Sequence, residues 1–155
     1  MDTAVTIIGL VITALIGIPL YFVFRASKLD KAKITKLLKQ YKNYHFYISD
    51  KLNKKALYLD ATQKGFLLVN FSTAPETASF IDLKQMASCS LSETTKANAP
   101  TIVQIDFAFH PKDGTKPVLV PFYKMEHDQL GQVCLYEDRQ LAKKWQRFLE
   151  DSIAA

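Results

Sequence analysis

The clearest structural signal in this chain is the stretch TIVQIDFAFHPKDGTKPVLVPFY at residues 101–123. Apolar residues alternate with other residues in both halves and share one face, at Val103, Ile105, Phe107, Phe109, Val118, Val120 and Phe122. Between the halves, Asp113-Gly114 is a turn signal. The pattern predicts a β-hairpin with one apolar face, and such a face must lie over a core.

Further strands are predicted upstream of this hairpin. Residues 56–71, ALYLDATQKGFLLVNF, indicate two strands joined by a turn at Asp60–Gly65. The segments TASFIDLKQM and QMASCSLSE indicate two more. Downstream, residues 137–153 repeat apolar residues at steps of three and four, which predicts an amphipathic helix. Glu137 and Asp138 lie near its start, where acidic groups complement the helix dipole.

The N-terminus carries an apolar run. Thr3 to Phe24 is a stretch of 22 residues without a charge, which as a helix would span roughly 33 Å, about the thickness of a hydrocarbon core. A cleaved signal peptide is disfavoured, because no basic residue precedes the run and the run ends in bulky residues. We therefore predict a transmembrane anchor over residues 1–24. Its membrane-contacting side chains are expected at Ile7, Ile8, Leu10, Val11, Ile12, Leu15, Ile16, Ile18, Leu20, Tyr21, Phe22 and Phe24.

A lysine-rich segment follows the apolar run. The formal net charge of the chain is +5, and its three regions, residues 1–24, 25–55 and 56–155, carry −1, +8 and −2. A helical projection of residues 25–48 gathers six basic side chains on one side, at Arg25, Lys28, Lys31, Lys36, Lys39 and Lys42. The opposite side carries apolar residues, among them Ile34, Leu37, Leu38 and Tyr41. Residues 25–48 are therefore predicted to form a basic amphipathic helix beside the membrane.

The basic side of this helix has three interpretations. It can be a solvated face that fixes membrane orientation, or it can contact anionic lipid headgroups, to which each cation near the surface contributes about 1 kcal/mol. Nucleic acid is disfavoured, because no base-stacking aromatic residue lies among the lysines. Since basic flanks face the cytoplasm, we expect a single-pass protein of the cytoplasmic membrane. Its N-terminus would lie outside, its C-terminal domain would be cytoplasmic, and Cys89 and Cys134 would stay reduced.

Catalytic and metal-binding patterns are absent from the sequence. The three histidines, His45, His110 and His127, form no metal-ligand spacing. Cys89 and Cys134 fit buried thiols better than nucleophiles. No glycine-rich phosphate loop occurs. We therefore expect no enzyme activity, no catalytic or metal-ligating residues and no cofactor.

The predicted order of elements resembles a known superfold. Six or seven short antiparallel strands closed by one C-terminal helix are similar to the pleckstrin-homology-like (PH-like) fold, in particular to membrane-anchored bacterial modules of that type. The residues that carry the resemblance are the hairpin 56–71, the segment Phe80–Met86, the hairpin 101–123 and Trp145. The resemblance implies an α+β domain over residues 49–155, a small antiparallel β-barrel or sheet of six or seven strands closed by a C-terminal helix. It also implies a binding scaffold for a lipid headgroup, a peptide or a partner protein.

The lipid-binding members of that superfold place a basic cluster around their first hairpin. Here the corresponding turn, Asp60 to Gly65, carries a single Lys64, with Lys54 and Lys55 as the nearest additional cations. Multivalent phosphate recognition requires several charge-assisted donors. We therefore expect a non-catalytic interaction module that presents its β domain at the cytoplasmic membrane surface and binds a protein partner, through a strand edge or the groove beside the C-terminal helix. The alternative is a peripheral sensor of anionic lipid that acts through the basic helix.

Overall fold

The structure is a computed structural model that describes residues 3–127 and 132–155. Its two long helices and seven strands are α1 (Thr3–Leu38), β1 (Ile48–Leu52), β2 (Lys55–Asp60), β3 (Gly65–Asn70), β4 (Thr77–Asp82), β5 (Met86–Thr95), β6 (Ile102–Pro111), β7 (Val118–Lys124) and α2 (Leu135–Ala154). The chain divides into two compact units. One holds α1, and the other, from Asn43 to Ala155, holds all described strands and α2.

Helix α1 is continuous across the boundary that the sequence suggested between an anchor and a basic helix. It ends at Leu38, and a short 3-10 turn, Lys39–Tyr41, follows it. The predicted basic helix extends to Ile48, which in the structure is already the first residue of β1. The difference has a local cause, because residues 43–48, NYHFYI, combine a poor helix former with aromatic residues that favour extended chain.

The predicted membrane anchor is corrected by the structure. A spanning helix needs about 20 consecutive, mostly apolar residues, and the part of the chain that the structure describes contains no helix of sufficient length and apolarity. This finding contradicts the transmembrane prediction for residues 1–24. It equally contradicts the single-pass topology, and the cytoplasmic-membrane localisation, that were built on that prediction.

The seven described strands form two antiparallel sheets. The first has the order β1-β2-β3-β4 and the second the order β5-β6-β7. Every connection inside a sheet joins neighbouring strands, as in a meander. The predicted single barrel or sheet is therefore corrected to two separate, open sheets, since no ladder in the described residues joins one sheet to the other. The predicted strand number and the C-terminal helix agree with the structure.

The core lies between the two sheets and α2. Phe66 from the first sheet contacts Phe107 and Phe109 from the second, at ring-centroid distances of 5.8 and 5.7 Å, and Trp145 from α2 at 5.9 Å. The indole of Trp145 is fully buried, and its Nε1 donates to Asp50 Oδ2 at 2.7 Å. Lys144 Nζ of α2 also donates to Asp50 Oδ2, at 2.8 Å. Helix α2 therefore joins the sheets through packing and through hydrogen bonds to β1.

The turn between β2 and β3 is held by the buried carboxylate of Asp60. It accepts backbone hydrogen bonds from Thr62 and Gln63 at 2.9 Å each and from His45 at 2.7 Å. Burial raises the pKa of this carboxyl, but the three backbone donors outweigh burial and leave the pKa below its usual value. The folded state therefore binds the Asp60 proton more weakly than the unfolded state does.

Replacing Asp60 by Asn is expected to lower the free energy of unfolding at pH 7 by about 1–3 kcal/mol, because a buried acceptor is weakened. A carboxyl with a depressed pKa stabilises the fold above its unfolded pKa, here 3.8, and loses that contribution as the pH falls through the folded value. The difference in free energy of unfolding between wild type and Asp60→Asn should therefore become smaller below about pH 4. Urea titrations of both proteins at several pH values measure this difference. Asp113→Asn, in an exposed loop, is the control and should show a much smaller gap.

Candidate functional site

The predicted surface-contacting lysines of the basic segment are solvent-exposed. Exposed side chains are found at Lys31, Lys36, Lys39 and Lys42, whereas the side chains of Arg25 and Lys28 lie outside the described residues. Of the predicted anchor residues, Ile7, Val11, Ile12, Leu15, Ile16, Ile18 and Tyr21 are exposed. The side chains of Ile8, Leu10, Leu20, Phe22 and Phe24 lie outside the described residues. Those of these side chains that the structure describes line neither of the two cavities, which both lie in the second compact unit.

The site is built on the tight turn between β1 and β2. Asn53 and Lys54 both have positive φ, 47° and 60°, which is the backbone of a two-residue hairpin turn whose twist matches the flanking strands. The turn is anchored twice. Phe71 N donates to Lys54 O at 2.8 Å, and Asn53 Nδ2 donates to Asp138 Oδ1 at 3.2 Å. It therefore lies against the end of β3 and the first turn of α2.

A buried ion pair follows the turn. Lys55 Nζ lies 2.8 Å from Asp138 Oδ2, and the two side chains are 7% and 0% exposed. The ammonium also lies 5.4 Å from the ring centre of Phe122 and 5.9 Å from that of Tyr123, within range of cation–π attraction. Taking both charges out of water is costly, so the pair stabilises the fold only through its close geometry and these additional contacts. It fixes the first sheet to the start of α2.

A cavity of about 310 Å³ opens beside this pair. It is lined by polar and basic side chains from the β1–β2 turn, the end of β3, the end of β7 and the start of α2: Asn53, Lys54, Lys55, Asn70, Ser72, Tyr123, Lys124, His127, Cys134 and Asp138. Three of these residues are lysines, and Asp138, already bonded to Lys55 and Asn53, is the one acidic residue among them. The cavity is therefore suited to an anionic ligand.

A second hollow, of about 210 Å³, continues from the first and shares Asn70, Lys124 and His127 with it. We call it the β4–β7 groove, because Thr77 and Ser79 of β4 and Pro121, Phe122 and Lys124 of β7 line it. The hydroxyl of Thr73, also in its wall, is buried without a hydrogen-bond partner. Buried polar atoms are nearly always paired, so an ordered water beside the groove is the partner that we expect for this hydroxyl.

The sheet edges differ in how they are protected. Strand β7 carries Pro121 and a register shift, and β5 carries two register shifts. Strand β1 carries two adjacent charges, Asp50 and Lys51. Strand β4, at the edge of the first sheet, pairs with β3 over six consecutive positions without a shift, and it contains no proline and no charge before Asp82. Proline, bulges and charges are the usual protection of an edge, and β4 lacks all three between Thr77 and Ile81.

Other reactive groups in the described residues do not form a catalytic constellation. Ser90 Oγ lies 3.1 Å from His110 Nε2, but no carboxylate in the described residues bonds to that imidazole. Groups of three or more metal-ligating side chains are absent from the same residues. Of the sequence Glu126-His127-Asp128, Glu126 and His127 end a short 3-10 turn, and Asp128 lies outside the described residues.

Neither of the two cysteines forms a disulfide. Cys89 is buried in the core, and burial, followed by the charge of Glu150, raises its pKa to about 12. Cys134 is partly exposed at the cavity. Because the thiolate is the reactive form, Ellman's reagent at pH 8 is expected to modify one thiol per folded chain rapidly and the second only in denaturant. Cys134→Ser should remove the rapid phase. Equally rapid reaction of this variant would contradict the burial of Cys89.

Sequence reasoning assigned Lys55 and Asp138 no joint role, although the sequence contains a signal for each. Lys55 shares a strand face with Leu57 and Leu59, so it points into the core. Asp138 precedes Ala142, Trp145 and Leu149 on the buried stripe of α2. Two inward-pointing opposite charges predict a buried pair, because a lone buried charge is too costly.

No protein family, no curated protein and no solved structure matches this chain.

Proposed function

We propose that residues 43–155 form a non-catalytic protein-binding module that receives an extended segment of a partner protein along the edge of β4. The observation that carries this proposal is the unprotected β4 edge beside the β4–β7 groove. Strand addition uses the backbone groups of the edge for affinity and pockets for alternate side chains for specificity.

The groove supplies the second element of such recognition. Successive side chains of a strand point to opposite faces, so every second side chain of an added strand would point toward the groove that Thr77 and Ser79 line. The groove wall offers hydroxyl groups together with the apolar side chains of Pro121 and Phe122. This combination favours a partner segment with alternating small polar or apolar residues on its inward side.

The order of the elements supports the same proposal. A four-stranded sheet, a three-stranded sheet and a C-terminal helix follow one another along the chain. This order supports relating the module to PH-like binding scaffolds, for which peptides and partner proteins are among the implied ligands.

Selection of peptides from a displayed random library, against the full 155-residue chain, tests the proposal. Selected peptides are expected to bind in extended form and to slow amide exchange across Thr77–Asp82. Ala78→Lys should weaken binding about tenfold or more, because a lysine opposes strand addition at an edge. Ser49→Lys is the matched control, since Ser49 is also exposed and also lies on an edge strand of the same sheet. It should leave binding within about twofold.

Two outcomes would contradict the proposal. Equal effects of Ala78→Lys and Ser49→Lys would remove the β4 edge from the interaction. Failure to select any peptide, together with binding to anionic vesicles that is lost when Lys31, Lys36, Lys39 and Lys42 become Gln, would favour the lipid alternative. Thermal unfolding of each variant separates loss of binding from loss of fold.

A further inference from the structure

The cavity beside the β1–β2 turn contains donors that the protein itself does not use. Lys54 Nζ forms no hydrogen bond or ion pair within the described residues. Asn70 Oδ1 accepts from Ser72 N at 2.8 Å, which fixes the orientation of the amide and leaves its Nδ2 without a described acceptor. Lys124 Nζ lies 3.9 Å from Glu126, which is itself 71% exposed, so this ion pair is loose.

We propose that this cavity binds a carboxylate, namely an acidic side chain of the partner segment that lies along β4, through Lys54, Lys124 and the amide of Asn70. This inference rests on the proposed function and adds to it the chemistry of the ligand. The main support for this inference is the charge balance of the cavity. Among the described residues of the lining three are lysines, and the one acidic residue, Asp138, is already neutralised by Lys55.

The two hollows adjoin each other, so one ligand can occupy both. Asn70 is the register partner of Thr77, the first residue of β4, and it lines both the cavity and the groove. A strand added to β4 that continues past Thr77 therefore reaches the cavity at its end. An acidic residue at that end of the partner segment would place its carboxylate between Lys54 and Lys124.

A carboxylate fits the donor set better than a phosphate does. Phosphate sites favour guanidinium groups or several convergent backbone donors, and the lining residues that the structure describes include no arginine. Lysine ammonium groups and one amide donor suit the two oxygens of a single carboxylate. The cavity volume of about 310 Å³ lies at the lower limit of ligand pockets, which also favours a small group.

The test uses a peptide selected against the full chain, synthesised with Glu, Gln or phosphoserine at its acidic position. We expect the Gln peptide to bind about tenfold more weakly than the Glu peptide, because it loses charge-assisted hydrogen bonds. In the Lys54→Gln/Lys124→Gln variant this difference should fall below about twofold. Lys116→Gln, an exposed lysine in the β6–β7 loop, is the control and should preserve the tenfold difference.

A second probe tests the cavity without the peptide. Glutarate is expected to shift the amide resonances of Asn53 and Asn70 in the full chain, whereas glutaramide should not. If peptides bind at β4 but the Glu and Gln peptides have equal affinities, this inference is overturned and the proposed function stays intact. Glutarate binding without any peptide binding would overturn the proposed function, and with it the partner segment as the source of the carboxylate. Tighter binding of the phosphoserine peptide than of the Glu peptide by tenfold or more would assign the cavity to phosphate instead.

Discussion

Replacing Asp138 by Ala is expected to lower the free energy of unfolding by about 3–5 kcal/mol, because the substitution leaves a buried ammonium without its counter-ion. In the native chain Lys55 Nζ lies 2.8 Å from Asp138 Oδ2, and its next oxygen neighbour, Asn53 O, lies at 3.5 Å. The rings of Phe122 and Tyr123 cannot replace a full negative charge. Domains typically have a free energy of unfolding of about 5–15 kcal/mol. This single substitution should therefore remove a large part of the stability of the domain.

Urea unfolding followed by tryptophan fluorescence measures this loss, since Trp145 is the one tryptophan. The double variant Lys55→Met/Asp138→Leu removes both charges and should be as stable as wild type or more stable. Lys144→Ala provides the matched control. Lys144 lies 2.8 Å from Asp50, but its side chain is 51% exposed, so its loss should cost about 1 kcal/mol or less. A loss for Asp138→Ala as small as that of the control would show that water reaches Lys55.

Replacing Trp145 by Ala is expected to cost about 3–5 kcal/mol, because a large, fully buried side chain leaves a cavity. Its ring contacts Phe66 and Phe148, each at 5.9 Å between centroids. Trp145→Phe keeps an aromatic ring but removes the 2.7 Å hydrogen bond to Asp50, and should cost less than half as much. Tyr136→Ala, on the exposed side of α2 with 73% of its surface accessible, should change stability by about 0.5 kcal/mol or less.

The same Trp145→Phe variant has a second measurable effect. Burial raises the pKa of Asp50, but the hydrogen bonds of Lys144 and Trp145 outweigh it and leave the pKa below its usual value. Losing one donor should move the pKa of Asp50 upward, which an NMR titration of its carboxyl carbon measures. An unchanged titration together with a large stability loss would assign the role of Trp145 to packing alone.

The sequence predicted the second sheet and the C-terminal helix well, for a physical reason. In β6 and β7 the inward side chains are large, and five of the seven residues predicted on the apolar face, Ile105, Phe107, Phe109, Val120 and Phe122, are buried. The other two are not, since Val103 is half-buried and Val118 is exposed. In α2 the apolar repeat begins and ends near the helix ends, and Trp145 and Leu149 are fully buried. Local periodicity determines such elements almost completely.

The sequence was less informative about features that depend on tertiary contacts. Strand β1, ISDKL, alternates only weakly, and its pairing with β2 depends on the Asn53-Lys54 turn, which carries no glycine. Whether two sheets close into a barrel depends on the register at their ends, and composition does not encode that register. The cavity lies among four separate elements, so no single stretch of sequence could indicate it.

The ion pair between Lys55 and Asp138 also has a consequence for the time course of folding. Its partners are separated by 83 positions along the chain, so the pair can close only after β2 and the first turn of α2 have come together. Contacts of such long sequence separation require the largest loop-closure entropy and tend to form late. We therefore expect the loss of this pair to accelerate unfolding and to leave the folding rate nearly unchanged. In this way the pair controls the lifetime of the folded module.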